Sequence, residues 1–280
     1  MIALTLAVSV LFGVSANFEA DISTHCITTG TDGIVESFTS MNQPMGLDYD
    51  HTNGWLWQAT QDGGWVYTVD PTNGSYIARF DINLIFGTIE LASNGCHLDE
   101  TNNYLYLADF NGDGGTTFYD VIYCFDVDNP DNPAVIDTWD LGAADGLLGI
   151  TYKAPYFYCA FYTPTELRAY TLSPGGAFTL ENTWPGLDYG GLWYDETWNV
   201  FYTHDALGTD VRILDGDDPS TVLDSFNPGC GQLTCAMTDD SNPAYLWTAD
   251  RPALLNCKID DEYTPGALEN STWGNIKTVF

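Results

Sequence analysis

Basic residues are scarce. The 280-residue chain carries only seven, Arg79, Lys153, Arg168, Arg212, Arg251, Lys258 and Lys277, and each stands alone in the sequence. A surface that grips phosphates needs clustered Lys and Arg, so nucleic acid is excluded as a partner, and anionic membrane surfaces are disfavoured on the same ground. Against them stand 39 acids, for a formal net charge of −32. Such a field attracts cations. Glutamate is scarce too, with 9 Glu against 30 Asp. Asp bonds its own backbone in turns while Glu favours helices, so the imbalance predicts many turns and little helix. No stretch of ten or more residues keeps a helical period.

Long apolar runs are nearly absent. The exception, Ile2 to Val14, is too short to span a bilayer as a helix, which takes roughly 20 residues. With the small residues Val14-Ser15-Ala16 behind it, the run reads as a secretory signal cleaved before Asn17, although no Lys or Arg follows Met1. Residues 1–16 are therefore expected to be a signal or apolar N-terminal segment, 17–33 an irregular one, and the protein secreted or held at the cell surface. None of the seven cysteines forms a Cys-x-x-Cys pair or sits at zinc spacing from a His. Export permits disulfides, and the odd count leaves at least one thiol free or paired between chains. Cys96 and Cys235 are expected as small buried residues on inner strands.

What the chain does have is a repeat. Gly46 to Thr60 (GLDYDHTNGWLWQAT) recurs from Cys96, Gly149, Gly191 and Cys235, at intervals of 50, 53, 42 and 44 residues. Each copy is a short apolar run, a polar turn of four to six residues, and a second run. That period fits a four-stranded propeller blade, so the expected fold is all-β: a five-bladed β-propeller of antiparallel blades spanning 34–260. Trp65 to Asp70 and Ser75 to Asp81 complete blade one, with counterparts in blades two to four. Blade five lacks a fourth strand after Leu254 to Ile259. Ile34 to Thr39 is expected to supply it, since it stands one connection before an inner strand as every other fourth strand does, and ring closure removes an exposed edge. Residues 261–280 then form a C-terminal tail with a spare strand, Ile276 to Phe280. The Gly-Leu-x-Tyr-Asp…Leu-Trp pattern resembles secreted bacterial propellers of the broad NHL/YncE-like kind, across roughly Ile34 to Asp260. The resemblance implies the fold and carries no catalytic residue across.

The sharpest local motif is Asp109-Phe-Asn-Gly-Asp-Gly-Gly-Thr-Thr-Phe-Tyr-Asp120. A hard cation takes six or more oxygens, and this spacing offers Asp109, Asn111, Asp113, the Gly115 carbonyl, Thr117 and Asp120, with Gly114 at the sharp turn. Between strands it resembles the calcium loops of integrin-type repeats, and a structural Ca2+ is expected. The alternative is an Asp/Gly-rich surface loop.

No catalytic residue and no organic cofactor site is predicted. His-Glu-x-x-His, Gly-x-Ser-x-Gly, P-loop and dinucleotide motifs are all missing. His51 falls in a turn, and His204-Asp205 reads as a solvated strand end. Aligned on the opening small residues, the third motif position is Asp48, Leu98, Thr151, Trp193 and Met237, and the next is Tyr49, Asp99, Tyr152, Tyr194 and Thr238. Asp48 and Asp99 then lie on different faces, which is not the carboxylate pair of a glycosidase. Trp57, Trp65, Trp193 and Trp247 are expected to pack between blades; Trp55, Trp184, Trp198 and Trp273, near turns, are the candidates for stacking on sugars. Asn73 and Asn270 begin glycosylation sequons. The leading functional expectation is a non-catalytic exported propeller, a structural or interaction subunit that pairs with itself in a filament or with other cell-surface components. The alternatives are a glycan or small-ligand module, and a hydrolase or lyase working in the channel.

Overall fold

The computed structural model describes residues 26–27, 33–87, 93–109, 120–142, 145–186, 188–205 and 208–260. They form β1 (Cys26–Ile27) and β2 (Ile34–Thr39), then four blades of four strands. Blade one is β3 (Pro44–Asp50), β4 (Trp55–Thr60), β5 (Trp65–Val69) and β6 (Tyr76–Asp81); blade two is β7 (Ser93–Asp99), β8 (Tyr104–Asp109), β9 (Val121–Asp126) and β10 (Ala134–Asp140). Blade three is β11 (Leu147–Lys153), β12 (Tyr156–Tyr162), β13 (Thr165–Thr171) and β14 (Thr179–Pro185); blade four is β15 (Leu192–Asp195), β16 (Val200–His204), β17 (Val211–Asp215) and β18 (Val222–Phe226). Blade five has β19 (Leu233–Asp239), β20 (Tyr245–Asp250) and β21 (Leu255–Asp260), and its fourth strand is β2. Every pairing is antiparallel, with Thr39 opposite Leu255 and Ser37 opposite Cys257. The N-terminal strand thus closes the ring as expected, and β1 adds a fifth strand outside it. Among the described residues, no helix is long and apolar enough to cross a membrane.

Successive side chains on a strand point to opposite faces, so each blade buries one set of residues against each neighbour. Leu56 joins the cluster between blades five and one while Trp57 joins the one between blades one and two. Five such clusters lie between the five pairs of neighbouring blades. The cluster that closes the circle holds Phe38 of β2 and Trp247 of blade five against Leu47 and Tyr67 of blade one. Trp57 and Trp247 are fully buried, as expected of packing between blades. In every blade the third and fourth strands pair with a register shift, a device that bends a sheet edge away from edge-to-edge pairing.

The Asp excess goes into turns. Asp50-His51-Thr52-Asn53-Gly54, Asp99-Glu100-Thr101-Asn102-Asn103 and Asp195-Glu196-Thr197-Trp198-Asn199 join first to second strands in three blades. In each, the leading carboxylate accepts a backbone N–H three residues on, from Asn53 (2.8 Å), Asn102 (3.2 Å) and Trp198 (3.2 Å). Each turn ends in a left-handed residue, with φ of 72°, 58° and 52°, where Gly and Asn cost least. Among the described residues the one short α-helix, α1 (Ile82–Phe86), is also set by an Asp: Asp81 caps its Asn83 and Leu84 N–H groups, and Gly87 ends it at φ 70°.

The inner strands meet at an unexpected register. A Cβ on Gly46 would lie 2.5 Å from the Asn94 carbonyl oxygen, one on Gly95 would lie 2.6 Å from that of Leu148, and one on Gly149 would strike Gly190. On Gly191 it would come within 3.0 Å of Ala236. The residues that share a level around the axis are therefore Gly46, Gly95, Gly149, Gly191 and Ala236. Aligning Cys96 and Cys235 with Gly46 is off by one residue in blades two and five. Close backbone approach selects the residue with the least side chain, and that is Gly95 and Ala236, while Cys96 and Cys235 are buried beside them. A one-residue slip moves every side chain of a strand to the other face. The level two residues on is thus Asp48, His97, Thr151, Trp193 and Thr238, followed by Tyr49, Leu98, Tyr152, Tyr194 and Asp239.

Candidate functional site at the axial mouth

First strands all run toward the same end of the ring, where the Asp-led turns lie. There a cavity of about 560 Å3 opens on the axis, lined by inner-strand residues of blades one, two, four and five. Asp48 is its most heavily bonded group. Oδ1 accepts from the Thr238 hydroxyl (2.8 Å) and the Tyr49 N–H (3.2 Å), Oδ2 accepts from the Leu98 N–H, and the Nδ1 of His97 lies 3.3 Å from Oδ2. The corrected register explains this convergence: Asp48, His97 and Thr238 share one level. Asp48 and Asp99 do not come together.

A second His–carboxylate pair sits at the rim. His51 Nε2 donates to Asp239 Oδ2 at 2.8 Å, and this bond raises the imidazole to about 9, so that it is protonated at neutral pH. Burial pushes the Asp239 carboxyl up, but the His51 bond pulls the other way, and with the imidazole near 9 the pair is ionic. Glu100 of blade two holds the His51 turn of blade one, accepting from the backbone N–H groups of His51 (3.0 Å) and Thr52 (3.0 Å) and from the Thr52 hydroxyl (2.7 Å). Thr238 links the two pairs, its hydroxyl 2.8 Å from Asp48 Oδ1 and 3.3 Å from Asp239 Oδ1.

Blade four supplies the facing wall, with Trp193, Tyr194 and Trp198. Trp193 leans on Tyr202 at 5.4 Å and packs against the cluster between blades four and five, as expected, while its partly buried ring also lines the mouth. Trp198, 45% exposed, is the one of the three described turn tryptophans that reaches the cavity. Trp184 stacks on Tyr158 at 5.7 Å, Trp55 lies in β4, and Trp273 is outside the described residues. Among the described residues, no Lys or Arg lines the mouth. Lys258 is bound behind it to Asp240 (2.9 Å), and Lys153 to the Asn199 side chain and Gly216 carbonyl.

Two further sequence expectations fall elsewhere. His204 is not a solvated strand end but fully buried: Nδ1 donates to the Asp205 carbonyl (2.8 Å) and Nε2 accepts from the Gly191 N–H (2.9 Å). Burial lowers it to about 4, so it is a neutral brace between β15 and β16. Of the calcium residues, Asn111, Asp113, Gly115 and Thr117 lie outside the described residues. Asp109 ends β8, buried, and Asp120, just before β9, accepts from the backbone N–H groups of Asp145 (2.8 Å), Gly146 (3.1 Å) and Leu147 (2.9 Å). Burial raises Asp120 to about 6 against those bonds.

The mouth was hidden in the sequence because its members come from four blades. One signal was available: His51 and Glu100 occupy the same position, the second residue of an Asp-led turn, in adjacent blades.

No protein-family model and no curated protein sequence matches the chain. Solved structures do. The glutaminyl cyclase of Myxococcus xanthus superposes with a TM-score of 0.62 at 11% identity, over 81% of this chain and 94% of that one. A chain of a nidogen–laminin complex superposes with a TM-score of 0.51 at 16% identity, over 86% and 89%. At these identities the likeness is one of fold, the β-propeller, and goes no further toward the NHL/YncE-like kind.

Proposed function

We propose that this chain is an exported propeller that binds a neutral glycan at the axial mouth. One observation carries the reading: Trp193 and Trp198 face the hydrogen-bonded Asp48, His97, His51 and Asp239 set across a cavity within the roughly 300–1,000 Å3 of small-molecule sites. A sugar ring needs a flat apolar surface for its C–H face and fixed acceptors for its hydroxyls. The mouth has both, and its acceptors are held in place by the ring's own bonds before any ligand arrives. Among the described residues six carboxylates and no Lys or Arg line it, which disfavours phosphorylated, sulfated and acidic sugars.

Export rests on the signal-like residues 2–14. Self-assembly into a filament rests on those residues and on 276–280, all outside the described residues, whereas the ligand reading rests on described geometry and takes precedence. The test is a glycan array probed with the full chain and with Trp198→Ala. Retention of neutral glycans is expected, weakened about tenfold or more in the variant with little change in melting. If no neutral glycan is retained, or Trp198→Ala binds as the parent does, the reading fails. Hydrolysis is the second reading, favoured by the Thr238 hydroxyl lying within reach of two carboxylates. Release of new reducing ends from a bound glycan, abolished by Asp48→Asn, would replace binding with catalysis.

A further inference from the structure

A second cavity, of about 590 Å3, opens on the same end of the ring between blades two and three. It is not separate from the mouth. His97, Leu98 and Glu100 line both. From the mouth, the surface therefore continues outward over His97 into a trough whose floor and far wall include Tyr106, Tyr152 and Phe157. Resting on the glycan reading of the mouth, we infer that the two cavities form one radial groove that takes a neutral oligosaccharide chain, with a second subsite at Tyr152.

The aromatic floor is continuous. The His97 ring lies roughly parallel to Tyr106 (6.4 Å, 29°) and to Tyr152 (6.3 Å, 27°), and Tyr152 packs on Phe157 at 4.9 Å. His97 thus joins the two sites: one edge meets Asp48 in the mouth while the ring is flanked by the tyrosines of the trough. Tyr152 is 39% exposed, so the trough offers it to a ligand. In the corrected register it stands level with Tyr49, Leu98, Tyr194 and Asp239, one step along from the level of Asp48.

The polar side of the trough is rigid. Asp99 accepts from the Thr101 N–H (3.0 Å), the Asn102 N–H (3.2 Å) and the Asn102 side chain (2.8 Å), and Glu100 is tied to the next blade. Acceptors fixed in this way lose little entropy when a hydroxyl meets them. Among the described residues no Lys or Arg lines the trough either, so the same bias toward uncharged ligands runs the length of the groove. Each cavity alone has the volume of a small-molecule site, and a single sugar in one leaves the other in water. A chain that crosses His97 occupies both.

The experiment is calorimetric titration of the full chain with cello-, xylo- and chito-oligosaccharides of one to six units. Affinity should rise about tenfold between the shortest member that binds and one long enough to reach Tyr152, the gain of one added stacking contact. Tyr152→Ala should erase that gain while leaving the short ligand unchanged, Tyr152→Phe should keep it, and Trp198→Ala should weaken short and long ligands by the same factor. Affinity independent of length, or a gain that survives Tyr152→Ala, overturns the groove and leaves the mouth reading standing. Failure of every member of all three series to bind overturns both.

Discussion

The two ends of this ring are made from the same strands, and they are finished in opposite ways. At the end away from the mouth, cations and carboxylates tie one segment to the next. Arg168 binds Asp145 (2.6 Å) and Glu166, Arg212 binds Asp205, and Arg251 donates to Gln61 of blade one (3.1 Å). Buried acids there take backbone N–H groups of the connecting loops: Asp120 those of 145–147, and Asp250 that of Gly231 at 2.6 Å. At the mouth the acids bond within their own turns or to their neighbours' turns, the lysines are held back in the wall, and the centre is left open. There Arg168 and Arg212 each satisfy carboxylates, and Arg251 a neutral amide. The difference teaches that one end carries the fold and the other is free to carry a ligand.

If that division holds, damage at the closed end should cost stability, and damage at the mouth should cost little. The largest effect is expected where the ring is fastened. The β2 strand pairs with β21, extends that pairing through Ser40 N–H to the Leu254 carbonyl (2.8 Å), and buries Phe38 against Trp247 at 5.5 Å. Deleting residues 1–39 should expose β21 as an edge and open the last cluster between blades, giving aggregated or unfolded material. A soluble deletion that melts cooperatively at the parent's temperature would dissolve the contrast.

His204 tests the closed end by titration. Its folded value of about 4 lies below the ordinary 6.5, so between those limits the folded state binds fewer protons than the unfolded chain. Stability should therefore fall as pH drops from 6.5 toward 4, by as much as about 3 kcal/mol for a shift of that size, and level off below. Asp120 acts with the opposite sign: raised to about 6, it lets the folded state hold a proton that the unfolded chain releases, and so favours folding as pH falls from 6 toward 3.8. The net melting curve mixes the two. The clean readout is the difference between the parent and His204→Asn, with the His204 ring resonances as a second measure should that variant fail to fold. A ring that titrates near 6.5 would show the brace to be loose.

The sequence made the blades legible because turns are local. Asp-led loops, Gly or Asn at left-handed positions, and alternating strands are properties of a few neighbouring residues, and even ring closure followed from counting strands. The mouth was less legible. Whether Gly95 or Cys96 occupies the crowded level is decided by how near the backbone of the next blade comes, about 50 residues away in sequence, and the one-residue error in blades two and five separated Asp48 from His97 and Thr238. His204 was misread for a related reason: a residue at a strand end looks solvated unless the loop that covers it is known. Trp198 is legible as an exposed turn tryptophan and Trp193 as one that packs between blades, but the place of Trp193 in the mouth wall is not.

A smaller effect than that of His204 is expected from calcium. The spacing of Asp109, Asn111, Asp113, Gly115, Thr117 and Asp120 predicts a structural ion between β8 and β9, at the closed end. A ligand bound only by the folded form stabilises by roughly 2.7 kcal/mol at a hundredfold excess over its dissociation constant. Melting with calcium and with chelator should differ accordingly, and Asp113→Ala should remove the difference. Equal midpoints for the parent would leave the loop as an Asp/Gly-rich connection.

The smallest effect belongs to the mouth. His51 is raised to about 9 chiefly by its bond to Asp239, so between pH 6.5 and 9 the folded state holds a proton that the unfolded chain has lost. Its contribution is complete below 6.5 and disappears as pH rises through 9, the reverse of His204. The side chain is 46% exposed, and solvent screens the pair, so the amount should be that of a surface ion pair, roughly 0.2–1 kcal/mol. Melting from pH 6 to 10 should show a shallow alkaline decline in the parent that is lost in His51→Gln and equally in Asp239→Asn. The two losses should not add, because each variant removes the same bond. A decline of several kcal/mol, or one that persists in both variants, would mean that the mouth carries structural load and that the ring has no free end.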